Sequence, residues 1–208
     1  NCDAALVTNV SSDHLGEYGI DTVEDMAKVK GLVFGAVKTG GTHVINADDP
    51  LLRMLPLPPG RRCWFSTTGR NAFVRAQLAE GALAWVLEDD WLSLCEGDQF
   101  ERILAVGDLH SAHGGAAFHN IANALGAAGL AQSLGASIHA IREGLRSFGK
   151  HPDDNPGRCS IRSIRGVNLL LDFGHNPHGV EAVLSTAQKS LSGRGRMSVS
   201  IGQAGDRD

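Results

Sequence analysis

Asp172-Phe173-Gly174-His175-Asn176-Pro177 follows the apolar run Val167-Asn168-Leu169-Leu170-Leu171 and precedes Gly179-Val180-Glu181-Ala182-Val183-Leu184. An apolar run that closes on Asp and Gly and meets Pro at the start of an amphipathic segment reads as a buried strand, a tight turn and a helix opened by proline. That order crowds polar side chains at the C-terminal end of a strand, the edge at which open α/β sheets bind ligands. An ordinary strand-to-helix connection with Asp172 as a helix cap has the same pattern. The stretch alone leaves both readings open.

Working outward, the 208 residues suffice for one large domain or one and a half ordinary ones. Charged residues make up 20%, the net charge is −4 and the pI about 6.1, so no basic surface for nucleic acid is advertised. The apolar runs are far shorter than a membrane span, and residues 1–20 lack a basic segment followed by an apolar one. A soluble cytoplasmic protein is the expectation. Cys2, Cys63, Cys95 and Cys159 lie far apart without a C-x-x-C pair, which fits neither a zinc site nor a disulfide framework. The 26 glycines and 5% aromatic residues suit an α/β protein with many tight turns. Because the chain opens within a strand-like run, Ala4-Ala5-Leu6-Val7, and stops after another, Met197 to Ile201, it reads as part of a longer polypeptide.

Ala4 to Val10 is an apolar strand, followed by the polar loop Ser11-Ser12-Asp13-His14-Leu15-Gly16. Asp21 or Thr22 caps the next helix, with Glu24 and Asp25 reaching back as in a capping box. Val23, Met26, Ala27, Val33, Phe34 and Val37 are expected on one face of it, with Lys30 in the middle of that face. Such a lysine either snorkels to the surface or is buried for a chemical reason. Lys28 is placed to pair in solvent with Glu24, four residues earlier.

Thr42 to Ile45 is a short strand running into the turn Asn46-Ala47-Asp48-Asp49-Pro50. Strands are expected at 63–66, 73–76, 82–87, 91–95 and 103–106, with Asp89-Asp90 as a hairpin turn. Trp64, Trp85 and Trp91 read as packing residues rather than a base-stacking platform. His110 and His113 in the glycine-rich loop 110–117 have metal-ligand spacing but no third ligand. Phe118 opens an alanine-rich helix with Asn120 and Asn123 on one face of its first turn, where amides read a base edge or merely cap the helix. A second helix, Ile138 to Phe148, precedes the linker-like Asp153-Asp154-Asn155-Pro156-Gly157. A domain boundary is placed near 150–156. Beyond it, strands 159–164 and 167–171, helix 177–191 and strand 197–201 form a β-β-α-β unit with a parallel crossover.

In this order, the residues Thr8-Asn9-Val10 with Asp13-His14-Leu15, Lys30, Asn46-Ala47-Asp48-Asp49-Pro50, His119-Asn120 with Asn123-Ala124-Leu125, Pro156-Gly157-Arg158, Asp172 with His175-Asn176-Pro177, and Gly205-Asp206-Arg207 resemble the Mur ligase superfamily of ATP-dependent amide-forming ligases. The stretch 7–16, the Gly19-Ile20-Asp21-Thr22 spacing and Gly114-Gly115 are similar to the Mur-ligase-like half of cyanophycin synthetases. Phe173-Gly174 departs from the usual Tyr-Ala, and Cys159 stands where Phe or Leu is common.

The resemblance implies an α/β fold: residues 1–152 as part of the central ATP-binding domain, three-layered around a mixed sheet, and residues 153–208 as the start of a Rossmann-like C-terminal domain. It implies ATP and Mg2+, a carboxylate activated as an acyl phosphate, and attack by the amine of an amino acid or peptide. It places Lys30, His14 and His175 in catalytic positions, with His14 as magnesium ligand and Lys30 as the lysine that many members carbamylate. It places Asn120 and Asn123 against adenine, Asp172 against ribose, Arg158 against phosphate and Asn176 facing nucleotide and substrate. No nucleic acid or membrane partner is expected, and a homo-oligomer stays open.

No G-x-x-G-K-[ST] phosphate loop occurs in the sequence. The upstream part of the same polypeptide is therefore an expected partner, and the chain by itself is expected to bind nucleotide weakly and to lack ligase activity. A peptidoglycan-precursor or folylpolyglutamate-type ligase, or a non-catalytic truncated paralogue acting by binding, are the alternatives.

Overall fold

Gly41-Thr42-His43-Val44-Ile45 is buried residue after residue, as a central parallel strand covered on both faces must be. It belongs to β2 (Val37–Asn46), which pairs in parallel with β1 (Cys2–Val7) and β3 (Arg61–Ser66). The computed structural model describes residues 1–12, 15–16, 18–191 and 195–202. Next to β3, β4 (Leu83–Glu88) is also parallel, and β5 (Trp91–Glu96) and β6 (Gln99–Ala105) extend the sheet antiparallel, in spatial order one to six. Asp89 and Asp90, at φ 51° and 61°, make the hairpin turn between β4 and β5, a backbone that short Asp side chains tolerate.

Alternation along the strands divides the core in two. Val44, Cys63, Phe65 and Trp85 face helices α4 (Phe118–Ser133) and α5 (Ile138–Ser147). Ile45, Trp64, Ala84 and Val86 face the opposite layer, made by α2 (Pro50–Met54), α3 (Ala72–Ala79) and Phe34, which lies just beyond the end of α1 (Val23–Gly31). The result is a three-layer α/β fold around a mixed sheet. Helix α4 lies directly on the sheet, because a Cβ at Gly129 would come within 2.9 Å of the Cys63 sulfur. Trp85 seals that contact by donating Nε1–H to the Gln132 side-chain oxygen at 2.7 Å.

The structure corrects the expected elements in several places. Residues 73–76 are helix, not strand: Asn71 caps α3 by accepting the Val74 N–H, and Val74 and Leu78, four apart, are its buried residues. Helix α1 stops at Gly31 and tightens into a 3-10 turn, Leu32–Ala36, which turns Phe34 into the core and leaves Leu32 and Val33 exposed. Val37 is already in β2, so no single stripe joins Val23 to Val37. Thr22 caps α1 and is paired reciprocally with Asp25. Lys28 pairs with Asp25 at 2.9 Å rather than with Glu24, since Asp25 is already fixed toward it by the cap.

After the turns of 149–159, β7 (Ser160–Ile164) and β8 (Val167–Leu171) form a separate antiparallel hairpin, followed by α6 (Pro177–Ser190). Residues 196–202 form no strand, and Met197, Val199 and Ile201 are exposed. A two-stranded hairpin with one helix offers too little apolar surface to seat a third strand across it.

Candidate functional site: a cleft at the strand ends

Because β1, β2 and β3 run parallel, their C-terminal ends share one edge, and the Asn46-Ala47-Asp48-Asp49-Pro50 turn holds it together. Asn46 donates Nδ2–H to the Thr8 carbonyl at 2.8 Å and accepts the Asp48 N–H at 2.8 Å. Asp49 accepts the Val10 N–H at 2.7 Å and caps α2, whose first residue is Pro50. Asp48 accepts from the Ser66 hydroxyl, the Thr67 N–H and hydroxyl, and the Thr68 hydroxyl, at 2.6–2.9 Å. These carboxylates therefore anchor the exits of β1 and β3. Their signal in the sequence was the Asp-Asp-Pro turn, but which strands it ties together was not readable.

Facing that edge, the first turn of α4 and the β8–α6 turn close a cleft of about 940 Å3, ample for a nucleotide-sized ligand. Thr8, Asn9, Asn46 and Asp48 line one wall; His119, Asn120 and Asn123 line the second; Arg158, Asp172, His175, Asn176 and His178 line the third. The expected residues Asn120, Asn123, Arg158, Asp172, His175 and Asn176 thus border a single cavity.

Each has a local reason for its position. Asn120 is held by donating Nδ2–H to the Ser111 carbonyl at 2.8 Å, and Asn123 lies 3.5 Å from the Asn120 side-chain oxygen. Asn176, not Asp172, caps α6, by accepting the Gly179 N–H at 2.8 Å. Asp172 instead accepts the Cys159 N–H at 2.7 Å. The Arg158 guanidinium lies over the Phe173 ring at 5.2 Å, and the exposed His175 ring is 5.8 Å from the same ring with Nδ1 3.2 Å from the Phe173 carbonyl.

Lys30 is half-buried, and its Nζ donates to the Asn9 carbonyl at 3.3 Å, which places the amine beside the cleft wall rather than among its lining residues. His14 lies outside the described residues, as do Asp13 and Gly205-Asp206-Arg207.

His119 was among the residues that carry the resemblance but was given no role, and His178 was not singled out, since a histidine in a first helical turn carries no distinguishing spacing. Burial lowers the His119 pKa; Asp172 opposes that shift, and His113 and His178 reinforce it. Burial, with the Asp172 charge, pushes the Cys159 thiol up to about 11, so this cysteine is a packing group and not a nucleophile. Among the described residues no three His, Cys, Asp or Glu side chains converge as a metal site. The His113 ring is committed to the Cys159 carbonyl at 2.8 Å instead. No helix among the described residues is long and apolar enough to cross a membrane. The cleft, lined by amides and imidazoles together with the carboxylates Asp48, Asp172 and Glu181 and the cations Arg158 and Lys189, suits a large polar ligand.

Residues 1–131 match the Mur ligase middle domain. The chain is 38% identical over its whole length to a cyanophycin synthetase of Geminocystis herdmanii, of which it covers 24%. It is 32% identical over 173 residues to the UDP-N-acetylmuramoylalanine–D-glutamate ligase of Chromobacterium violaceum, spanning 80% of this chain and 33% of that one. Among solved structures, MurF from Acinetobacter baumannii superposes with a TM-score of 0.56 at 17% identity, over 90% of this chain and 37% of MurF. The chain spans about a quarter of the length of the cyanophycin synthetases it matches.

Proposed function

Because the chain belongs to the Mur ligase family through its middle domain, we propose that it is the nucleotide-handling part of a ligase that joins a carboxylate to an amine using ATP, with a cyanophycin-synthetase-like choice of substrates. The observation that carries the nucleotide reading is the cleft, in which the strand-end edge, the first turn of α4 and the Asp172 turn border one volume. The substrate class rests on the 38% identity that extends across the whole chain.

In this reading Asn120 and Asn123 meet the adenine edge, Asp172 the ribose hydroxyls and Arg158 the phosphates. Adenine presents both donors and acceptors, which a pair of amides matches, and a guanidinium matches phosphate oxygens in fork geometry. A carboxylate oxygen of the acceptor substrate attacks the γ-phosphorus, ADP leaves, and an acyl phosphate forms. The amine nitrogen then attacks the acyl carbon and phosphate leaves. Little covalent work falls to the protein, so holding the nucleotide in line with the carboxylate is its main contribution. In this reading Lys30 and His175 act where charge develops, the roles that the resemblance assigns to them.

Bound magnesium would neutralise phosphate charge. The described residues supply no converging His, Cys, Asp and Glu set for it, and His14 remains the residue assigned to it by resemblance. Without a G-x-x-G-K-[ST] segment in the 208 residues, the phosphate loop in this reading comes from elsewhere in the polypeptide.

The test is ADP release by the intact gene product. Release that requires both a peptide carboxylate and a free amino acid, and whose ATP KM rises about tenfold in Asn123→Ala, is the expected result. Dependence on a UDP-muramoyl peptide instead would move the protein to the peptidoglycan branch. No ATP turnover with any such pair would leave binding alone.

A further inference from the structure

His113, Gly114 and Gly115 hold φ of 48°, 66° and 89°. Three consecutive left-handed residues are tolerated here because two are glycine and the third is held by its ring. His113 Nε2 lies 2.8 Å from the carbonyl oxygen of Cys159. A carbonyl oxygen can only accept, so Nε2 carries the proton and donates. Cys159 in turn donates its N–H to Asp172 at 2.7 Å. Cys159 is itself left-handed, at φ 51°, and only 2% exposed. One buried residue thus joins the glycine-rich loop to the Asp172 carboxylate through its two backbone groups.

The other end of that loop is equally tied. Ser111 accepts from the Asn120 amide at 2.8 Å, and Gly149 packs so closely on it that a Cβ there would come within 2.7 Å of the Ser111 nitrogen. The path runs Asn120, Ser111, His113, Cys159, Asp172: from one wall of the cleft, behind the linker, to the opposite wall.

We propose that His113 is a positioning residue: by holding the Cys159 carbonyl it keeps the Cys159 N–H on Asp172 and so sets the Asp172 wall of the cleft against the asparagine wall. The consequence for nucleotide rests on the reading of Asp172 as a ribose contact given above. Without the imidazole, a buried carbonyl loses its donor and the left-handed kink at Cys159 loses its restraint, so the amide is free to swing off the carboxylate.

The test uses the intact gene product. In His113→Ala, hydrogen exchange in peptides covering 157–173 should rise about tenfold and the ATP KM about tenfold, with kcat within about twofold. In His113→Gln, whose side-chain amide stands where Nε2–H does, both should stay within about twofold of the unmodified protein. Exchange in 118–133 should not change. A Gln variant as impaired as Ala, faster exchange spread through the six-stranded sheet, or an unchanged KM in His113→Ala would overturn the proposal. If the unmodified protein turns over no ATP, the functional reading fails by itself, and the exchange measurements still decide whether His113 sets the Asp172 turn.

Discussion

The Lys30 amine donates to the backbone carbonyl of Asn9 at 3.3 Å, which ties the last turn of α1 to the strand-end edge where the cleft opens. Lys28, two residues earlier, points to Asp25 on the exposed face of the same helix. In the intact gene product Lys30→Ala is expected to abolish turnover, and added short-chain carboxylic acids to restore part of it where they replace a carbamate. Lys28→Ala should retain activity, since an exposed pair contributes little. Equal activity of the two variants in a steady-state assay would remove Lys30 from the site.

Asn120 and Asn123 share a helix face but are held differently, which separates their variants. Asn120→Ala deprives the Ser111 carbonyl of its donor and should lower stability by about 1 kcal/mol. Asn123→Ala should leave thermal unfolding unchanged and weaken nucleotide binding about tenfold, or about 1.4 kcal/mol. Calorimetric titration beside thermal melts distinguishes the two; a stability loss in Asn123→Ala without an affinity change would contradict the assignment.

Asp48 collects the Ser66, Thr67 and Thr68 donors at the end of β3. Asp48→Ala leaves them without their acceptor and is expected to cost about 2–3 kcal/mol. Denaturant unfolding reads this directly. A neutral result would mean that water replaces the carboxylate at no cost.

His43 is fully buried in β2, edge-on to Phe34 at 5.3 Å, and among the described residues neither ring nitrogen has a hydrogen-bond partner of good geometry. Burial, aided by the Arg62 charge, holds its pKa below the ordinary histidine value. The folded chain therefore keeps it neutral while the unfolded chain takes up a proton near pH 6.5, so this residue's contribution is complete above about pH 6.5 and is lost as the pH falls toward the lowered folded value. His43→Leu should raise Tm by about 2–4 °C at pH 7.5, and the gap should widen at pH 5.5. Thermal melts at the two pH values check this; a gap that narrows in acid would show that the ring is protonated in the folded state.

Misread elements show what local pattern lacks. Phe73-Val74-Arg75-Ala76 has strand-like residues, yet the Asn71 cap and the spacing of Val74 and Leu78 make it a helix that covers Trp64 and Val86. The cap was visible in the sequence, but the sheet face awaiting cover was not. Lys28 was matched to Glu24 by helix spacing alone, while the Thr22 cap had already turned Asp25 toward it.

The sequence by itself determined where the strands of the main sheet lie, their polar C-terminal ends, the Asp89-Asp90 hairpin, the helix opened by Pro177 and the family, because each of these is written in neighbouring residues and their spacing; which strands pair in parallel is a matter of the tertiary structure. Only the tertiary structure decided that Asn176 rather than Asp172 caps α6, and that Asp172 accepts the Cys159 amide. It also decided that His113 serves a backbone carbonyl and that residues from Thr8 to Asn176 border one cleft. The physical reason is that a buried N–H or carbonyl takes whichever partner the packed chain brings within reach. Partners separated by 13 or 46 positions, as Cys159 is from Asp172 and from His113, leave no periodicity in the sequence to announce them.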